Sequence, residues 1–335
     1  MTRSFLTVSL ALSLSLCASV ADAGARLDAI KSRGTVACGL GDNVAGFSRH
    51  DAGKNWSGFD VDLCRALAAA VLGDPAKAAF RPIDVLPRFL QSQDIDVVLR
   101  GLTWTFGREA RSDVRFGPIV LYDGQTFLVP KRLNITTPEQ LSGKVICVST
   151  DVEFMTQLQA YFRSRNLTLR TLATALRPEA EDAFFGGQCD AMAADASELA
   201  EAVIAKAKQP DDFTILPQQI TKEPLAPFMR NDDPQFFDAV RWTIFALINA
   251  EELGITRANV DQMRMSNDIE IRRFFAPPPT GASVVPGWTY NIIKAVGNYG
   301  EIYDRHLGSG SRAKLARGMN RLWKDGGLMY APPIR

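Results

Sequence analysis

A strand–helix–strand alternation runs along this chain, stops, and then starts again. Thr35–Leu40 reads as a short strand. Asp60 reads as the cap of a helix running to Leu72, with Val61, Cys64, Leu67, Ala68 and Val71 on one face. Gly73-Asp74-Pro75 stops it. Strands near 79–84 and 95–99 follow, with a short helix between. The rhythm resumes at Lys144–Val148, a strand. It continues through helix 152–164, strand 167–172, helix 177–185, strand 190–194 and helix Asp195–Lys208 to the strand Phe213–Leu216. Helices alternating with strands argue for mainly parallel sheets covered on their faces. The chain's 335 residues suffice for two such units.

Crossings between the halves are expected near Tyr122–Pro130 and Thr221–Met229. They predict one lobe from residues 24–124 plus 229–335 and a second from 125–228. Two crossings make a hinge, and a hinge with a cleft suits the trapping of a small molecule. A long amphipathic helix, about 234–251, precedes a C-terminal extension whose last 50 residues read as helical and polar.

The first 23 residues set the compartment. Arg3, an apolar run from Phe5 to Val20 and the Ala21-Asp22-Ala23 triplet have the form of a cleavable secretory signal. The run is short for a membrane span, and no basic cluster follows it. Leu16, before Cys17, is bulky where lipoprotein cleavage needs a small residue. The expected destination is the periplasm.

Composition and motifs exclude several classes of function. Lys and Arg total 38 against 37 Asp and Glu, so no basic field invites nucleic acid. The two histidines, His50 and His306, cannot build a His-rich metal site and read as solvated surface residues. Asp60 and Asp62 read as cap and surface. Phosphate-binding glycine loops, G-x-S-x-G and H-E-x-x-H are absent, so neither a cofactor nor a metal is expected.

Removal of the leader leaves Cys38, Cys64, Cys147 and Cys189. An exported chain with an even cysteine count favours disulfides. Of three connectivities, the local pairs Cys38–Cys64 and Cys147–Cys189 suit separate lobes, each bridge contributing about 3–4 kcal/mol. Four buried thiols are the alternative.

Two stretches carry a family resemblance. Gly101-Leu102-Thr103-Trp104-Thr105-Phe106-Gly107-Arg108 resembles the G-x-T-x-T-x-x-R motif of periplasmic amino-acid-binding proteins of ABC importers, solute-binding protein family 3. Gly58-Phe59-Asp60-Val61-Asp62 resembles that family's G-F-D-V-D. Tyr122-Asp123-Gly124-Gln125, Lys222-Glu223-Pro224-Leu225, Trp242–Gly254, Ile293–Glu301 and Tyr330–Pro333 look like the general L-amino-acid-binding branch. The resemblance implies a two-lobed type II periplasmic-binding-protein fold, an α/β architecture. It also implies a component that hands its ligand to a membrane permease without covalent chemistry; a monomer is the default expectation.

By the same resemblance, Arg108 clamps a ligand carboxylate with Thr103 beside it, and the Gly101 carbonyl accepts from the ammonium. Asp195, which ends Cys189–Asp195, holds that ammonium. A guanidinium is the natural partner of a carboxylate, and an ammonium needs a carboxylate to offset its desolvation. The chain also departs from the pattern. Ser149-Thr150-Asp151-Val152-Glu153 replaces a Gly-Thr-Thr loop, which puts Glu153, with Thr150 nearby, where a carboxylate repels a ligand carboxylate. Arg88 lies in a stretch two residues short, and Phe47 stands near the position of a stacking aromatic. The competing expectations are a periplasmic ligand sensor and a dehydratase-like enzyme with Glu153 as general base.

Overall fold

The computed structural model describes residues 24–335 except Lys54, Asp84, Val85, Arg111 and Ser112; the leader expected at 1–23 lies outside the described residues. Lobe 1 begins with α1 (Ala25–Arg33), β1 (Val36–Leu40), the hairpin β2 (Arg49–His50) and β3 (Trp56–Ser57), and α2 (Phe59–Leu72). β4 (Ala78–Pro82), α3 (Leu86–Gln91), β5 (Val97–Thr103), α4 (Phe106–Ala110), β6 (Val114–Phe116) and β7 (Leu121–Asp123) follow. The chain then crosses into lobe 2. That lobe holds β8 (Gln125–Pro130), β9 (Val145–Ser149), α5 (Val152–Ser164), β10 (Arg170–Thr174), α6 (Arg177–Phe185), β11 (Ala191–Asp195), α7 (Ala196–Lys206) and β12 (Phe213–Ile215). β13 (Glu223–Arg230) returns to lobe 1, followed by α8 (Pro234–Glu252), α9 (Val260–Met263), α10 (Ile269–Phe274), α11 (Trp288–Val296) and α12 (Tyr299–His306).

The lobe 1 sheet runs β4-β1-β5-β13-β6, with β7 also on β13. β4, β1 and β5 are parallel, and β13 lies antiparallel to β5. The lobe 2 sheet repeats the plan as β10-β9-β11-β8-β12, with β8 antiparallel to β11. Each lobe is thus a mixed sheet, three strands paired in parallel and the rest joined by antiparallel pairs. Because β13 pairs with lobe 1 strands from Glu223 onward, the return crossing falls before residue 223, ahead of the expected boundary at 228/229.

The central strands are apolar on both faces because helices cover both. In lobe 2, Phe127 and Val129 pack with Phe162 on one side, while Leu128 between them packs with Phe184 and Leu199 on the other. In lobe 1, α2, α8, α11 and α12 bury one face, and Phe89 of α3 joins Val98 and Phe228 on the other. Disulfides join Cys38 of β1 to Cys64 of α2 and Cys147 of β9 to Cys189, one in each lobe.

Three expectations are corrected. The cap of α2 is Gly58, at φ 141°, so Asp60 lies inside the first turn and is buried. A Cβ on Gly58 would fall 2.1 Å from the Phe47 carbonyl oxygen, which is why glycine opens this helix. Asp62 and His306 are not surface groups. Asp62 is buried and accepts from His306 Nε2 and Arg305 Nη2, each at 2.7 Å, which ties α12 to α2. Finally, beyond His306 the extension is irregular apart from short turns at Gly318–Asn320 and Trp323–Asp325. It reaches lobe 2, where Arg312 donates to the Ala207 carbonyl at 2.7 Å.

Candidate functional site

In open α/β sheets, ligands gather beyond the carboxyl ends of the parallel strands. Here β5, β9 and β11 all end at the gap between the lobes. A cavity of about 340 Å³ fills that gap. Lobe 1 contributes Thr103, Arg108 and Glu223, and lobe 2 contributes Ser149, Asp151, Glu153, Arg177, Asp195 and Glu198. A second chamber of about 200 Å³ adjoins it, with Arg177 and Glu198 on the walls of both.

Arg108 sits on α4, immediately after β5. Its Nη1 donates to the Thr103 carbonyl at 2.7 Å, which turns the guanidinium back over the strand end. Asp195 ends β11 and stands at the cap position of α7, yet its carboxylate makes no capping bond. Its Oδ1 is buried without a hydrogen-bond partner among the described residues. Across the ladder, the buried Gln125 also leaves its side-chain amide unpaired. Asp151 behaves differently. It caps α5, its Oδ1 accepting from the Phe154 amide at 2.9 Å, so its carboxylate already sits at that helix's amino end.

Electrostatics single out Asp195. Burial pushes its carboxyl up to about 9, reinforced by Asp123, Glu198 and Glu223 and opposed by Arg177. Asp123, buried beside the crossing, is raised to about 6 by the same cause, despite accepting from the Gly124 and Ser197 amides at 2.9 and 3.2 Å. Glu198 is raised too, burial outweighing the pull of Arg177. Burial thus favours the neutral form of the Asp195 carboxyl.

Of the residues expected from sequence, Arg108, Thr103, Asp195 and Glu153 meet on the main cavity. Gly101 and Phe47 line the second chamber; Phe47 is also core, edge-on to Phe59 at 6.2 Å. Thr150 lines neither; it is exposed, and its amide donates to the Thr174 carbonyl at 2.8 Å. Arg88 lies on α3, and its side chain is outside the described part of the structure. Sequence reasoning passed over Arg177, Glu198 and Glu223. Glu198 follows Asp195 by three residues, a spacing that puts two side chains on one helix face, and that signal was available.

Residues 36–257 match the family model of bacterial extracellular solute-binding proteins, family 3. The chain belongs to that family. Over 96% of both chains it is 44% identical to the general L-amino acid-binding periplasmic protein AapJ of Rhizobium johnstonii. It is 39% identical to the glutamate/glutamine/aspartate/asparagine-binding protein BztA of Rhodobacter capsulatus, over 96% of this chain and 98% of that one. Among solved structures, an ABC transporter periplasmic binding protein from Brucella ovis with glutathione bound superposes with a TM-score of 0.79 at 40% identity. The match covers 92% of this chain and 99% of that one. This solute-binding protein thus has the two-lobed periplasmic-binding fold of its family. Among its described residues no helix is long and apolar enough to cross a membrane, and no group of His, Cys, Asp and Glu could hold a metal.

Proposed function

We propose that this solute-binding protein captures an amino acid or a related amine-bearing solute between its lobes. It does so in the periplasm and delivers the ligand to the permease of an ABC importer. One observation carries the reading: Arg108 of lobe 1 and Asp195 of lobe 2 face the same cavity. A free amino acid presents a carboxylate and an ammonium, and the two residues match them in charge. Arg108 and Thr103 hold the carboxylate, while Asp195 and the Gly101 carbonyl hold the ammonium. With the two charges of one ligand anchored on different lobes, binding draws the lobes together, and closure is the signal a permease can read. The names of the relatives support the same class of ligand.

A thermal-shift screen of the mature chain tests this. Ligand at about 100 times its dissociation constant contributes roughly 2.7 kcal/mol and raises the melting temperature by several degrees. Amino acids and short amines are expected to shift it; a flat response across the whole panel refutes the reading.

A further inference from the structure

One buried side chain beside the cleft is left unbonded by the fold. Gln125 opens β8, just past the first crossing, and is fully buried. Its backbone is tied to the return crossing. The Gln125 amide donates to Thr221 Oγ1 at 2.8 Å, and its carbonyl accepts from the Ile220 amide at 2.7 Å. The side chain has no such ties: neither Oε1 nor Nε2 has a hydrogen-bond partner among the described residues. A buried carboxamide left this way is destabilising.

The ladder shows what this amide faces. Gln125 lies directly opposite Asp195 in the antiparallel pairing of β8 with β11. The Ala196 amide donates to the Gly124 carbonyl at 3.0 Å, which makes Gln125 and Asp195 a non-hydrogen-bonded pair. Facing side chains stand closest in such pairs, with Cβ atoms about 4.5–5.5 Å apart. Thr126, next on the strand, turns to the other face, its hydroxyl 2.9 Å from the Leu216 and Gln218 carbonyls. Asp195 Oδ1 is itself buried and unpaired. An orphan donor thus stands across from an orphan acceptor, just behind the cavity wall that Asp195 forms.

A ligand ammonium needs a charged Asp195. Burial and the carboxylates of Asp123, Glu198 and Glu223 work against that charge, with Arg177 opposing them. A hydrogen bond donated to a carboxylate favours its charged form and fixes its direction.

We propose that Gln125 is the positioning residue for Asp195: when an ammonium seats in the cleft, Gln125 Nε2 donates to Asp195 Oδ1 and holds the carboxylate toward the ligand. Gln125 acts from behind the anchor and leaves the ligand untouched. This rests on the reading of Asp195 as the ammonium anchor.

The test is calorimetry on the mature chain with L-glutamine, L-alanine and L-arginine as probes. Gln125→Met keeps the side chain's length and removes the amide. It should weaken binding about tenfold or more, the scale of one charge-assisted hydrogen bond. The factor should be the same for all three probes, because the ammonium is common to them. The empty variant should melt no lower than the wild type, since an orphaned amide has gone. In isotope-labelled wild type, one proton of the Gln125 side-chain amide should move downfield when a probe is added. A packing role alone would lower the melting temperature and leave that resonance in place. An unmoved resonance, wild-type affinity in Gln125→Met, or a loss confined to one probe overturns the proposal. Should Gln125→Met unfold, the wild-type resonance still decides. Asp195→Asn separates this from the reading beneath it. Wild-type affinity in Asp195→Asn, or no probe binding the wild type, removes the anchor and the proposal with it. Lost binding in Asp195→Asn beside normal binding in Gln125→Met overturns the proposal alone.

Discussion

Burial in the cleft controls the ionisation of Asp195. Its folded-state carboxyl is raised above its ordinary value of 3.8 to about 9. The folded state therefore holds a proton that the unfolded chain gives up. That contribution to stability is complete below about pH 4 and is lost as the pH rises toward 9. In Asp195→Asn, the melting temperature of the empty protein should fall less between pH 5 and 9 than in the wild type, by about 2–5 °C. The same variant should lose ligand binding. In the wild type, an ammonium that displaces this proton makes affinity rise with pH, by at most about tenfold per unit. Calorimetry in buffers of different ionisation enthalpy would show proton release approaching one; no release means that the ligand cation does not reach Asp195. Arg108 gives a simpler expectation. Arg108→Ala should cost about 2–5 kcal/mol of binding, because a ligand carboxylate then lies in the cleft unpaired. Titration at several ligand concentrations reads this directly, and wild-type affinity would remove Arg108 from the site.

Among the elements, the irregular extension after α12 ties distant parts of the chain together. The Tyr122 amide donates to Asn320 Oδ1 at 2.7 Å, and Asn320 Nδ2 donates to the Tyr122 carbonyl at 3.0 Å. One side chain thus finishes the open edge of β7 just before the crossing. Arg317 holds the same segment to Glu251 of α8 at 3.0 Å. Asn320→Ala leaves two backbone groups of a partly buried strand without these bonds and should cost about 1–3 kcal/mol in chemical denaturation. Lys314→Ala breaks an exposed pair with Asp211 at 2.5 Å and should leave the denaturation midpoint nearly unchanged. Equal effects would contradict this assignment. None of these contacts was legible in the sequence. Asn320 lies 198 positions from its partner, and nothing local to either residue marks the pairing. The two α/β rhythms were legible, because burial on both faces leaves long apolar strands and one-sided helices that can be read from the chain.

At the scale of the molecule, each lobe has its own sheet, its own core clusters and its own disulfide. Cys147 and Cys189 close a 42-residue span, for which loop entropy gives about 4 kcal/mol. Replacing both by Ser should therefore lower the unfolding free energy of lobe 2 by an amount near that, visible as a separate early transition in calorimetry. A single unchanged transition would show that the lobes unfold as one unit or that the bridge adds little. Ligand binding should reduce the radius of gyration in solution scattering, since the proposed anchors stand on opposite lobes.

By itself, the sequence marked out the two-lobed α/β plan, favoured the local cysteine pairs and, through its family resemblance, singled out Thr103 and Asp195 at strand ends and Arg108 just beyond one. Each follows from periodicity, chain proximity or a contiguous motif. Tertiary structure alone decided the rest. It buried Asp60 and Asp62, set a half-buried His306 against Asp62, turned Asp151 onto its own helix, and set Arg177 among Glu181, Glu198 and Glu201. The physical reason is that a side chain's charge state and partners depend on what the distant chain packs against it. Desolvation and ion pairing are set by the assembled cleft, and neighbours in sequence carry little of that information.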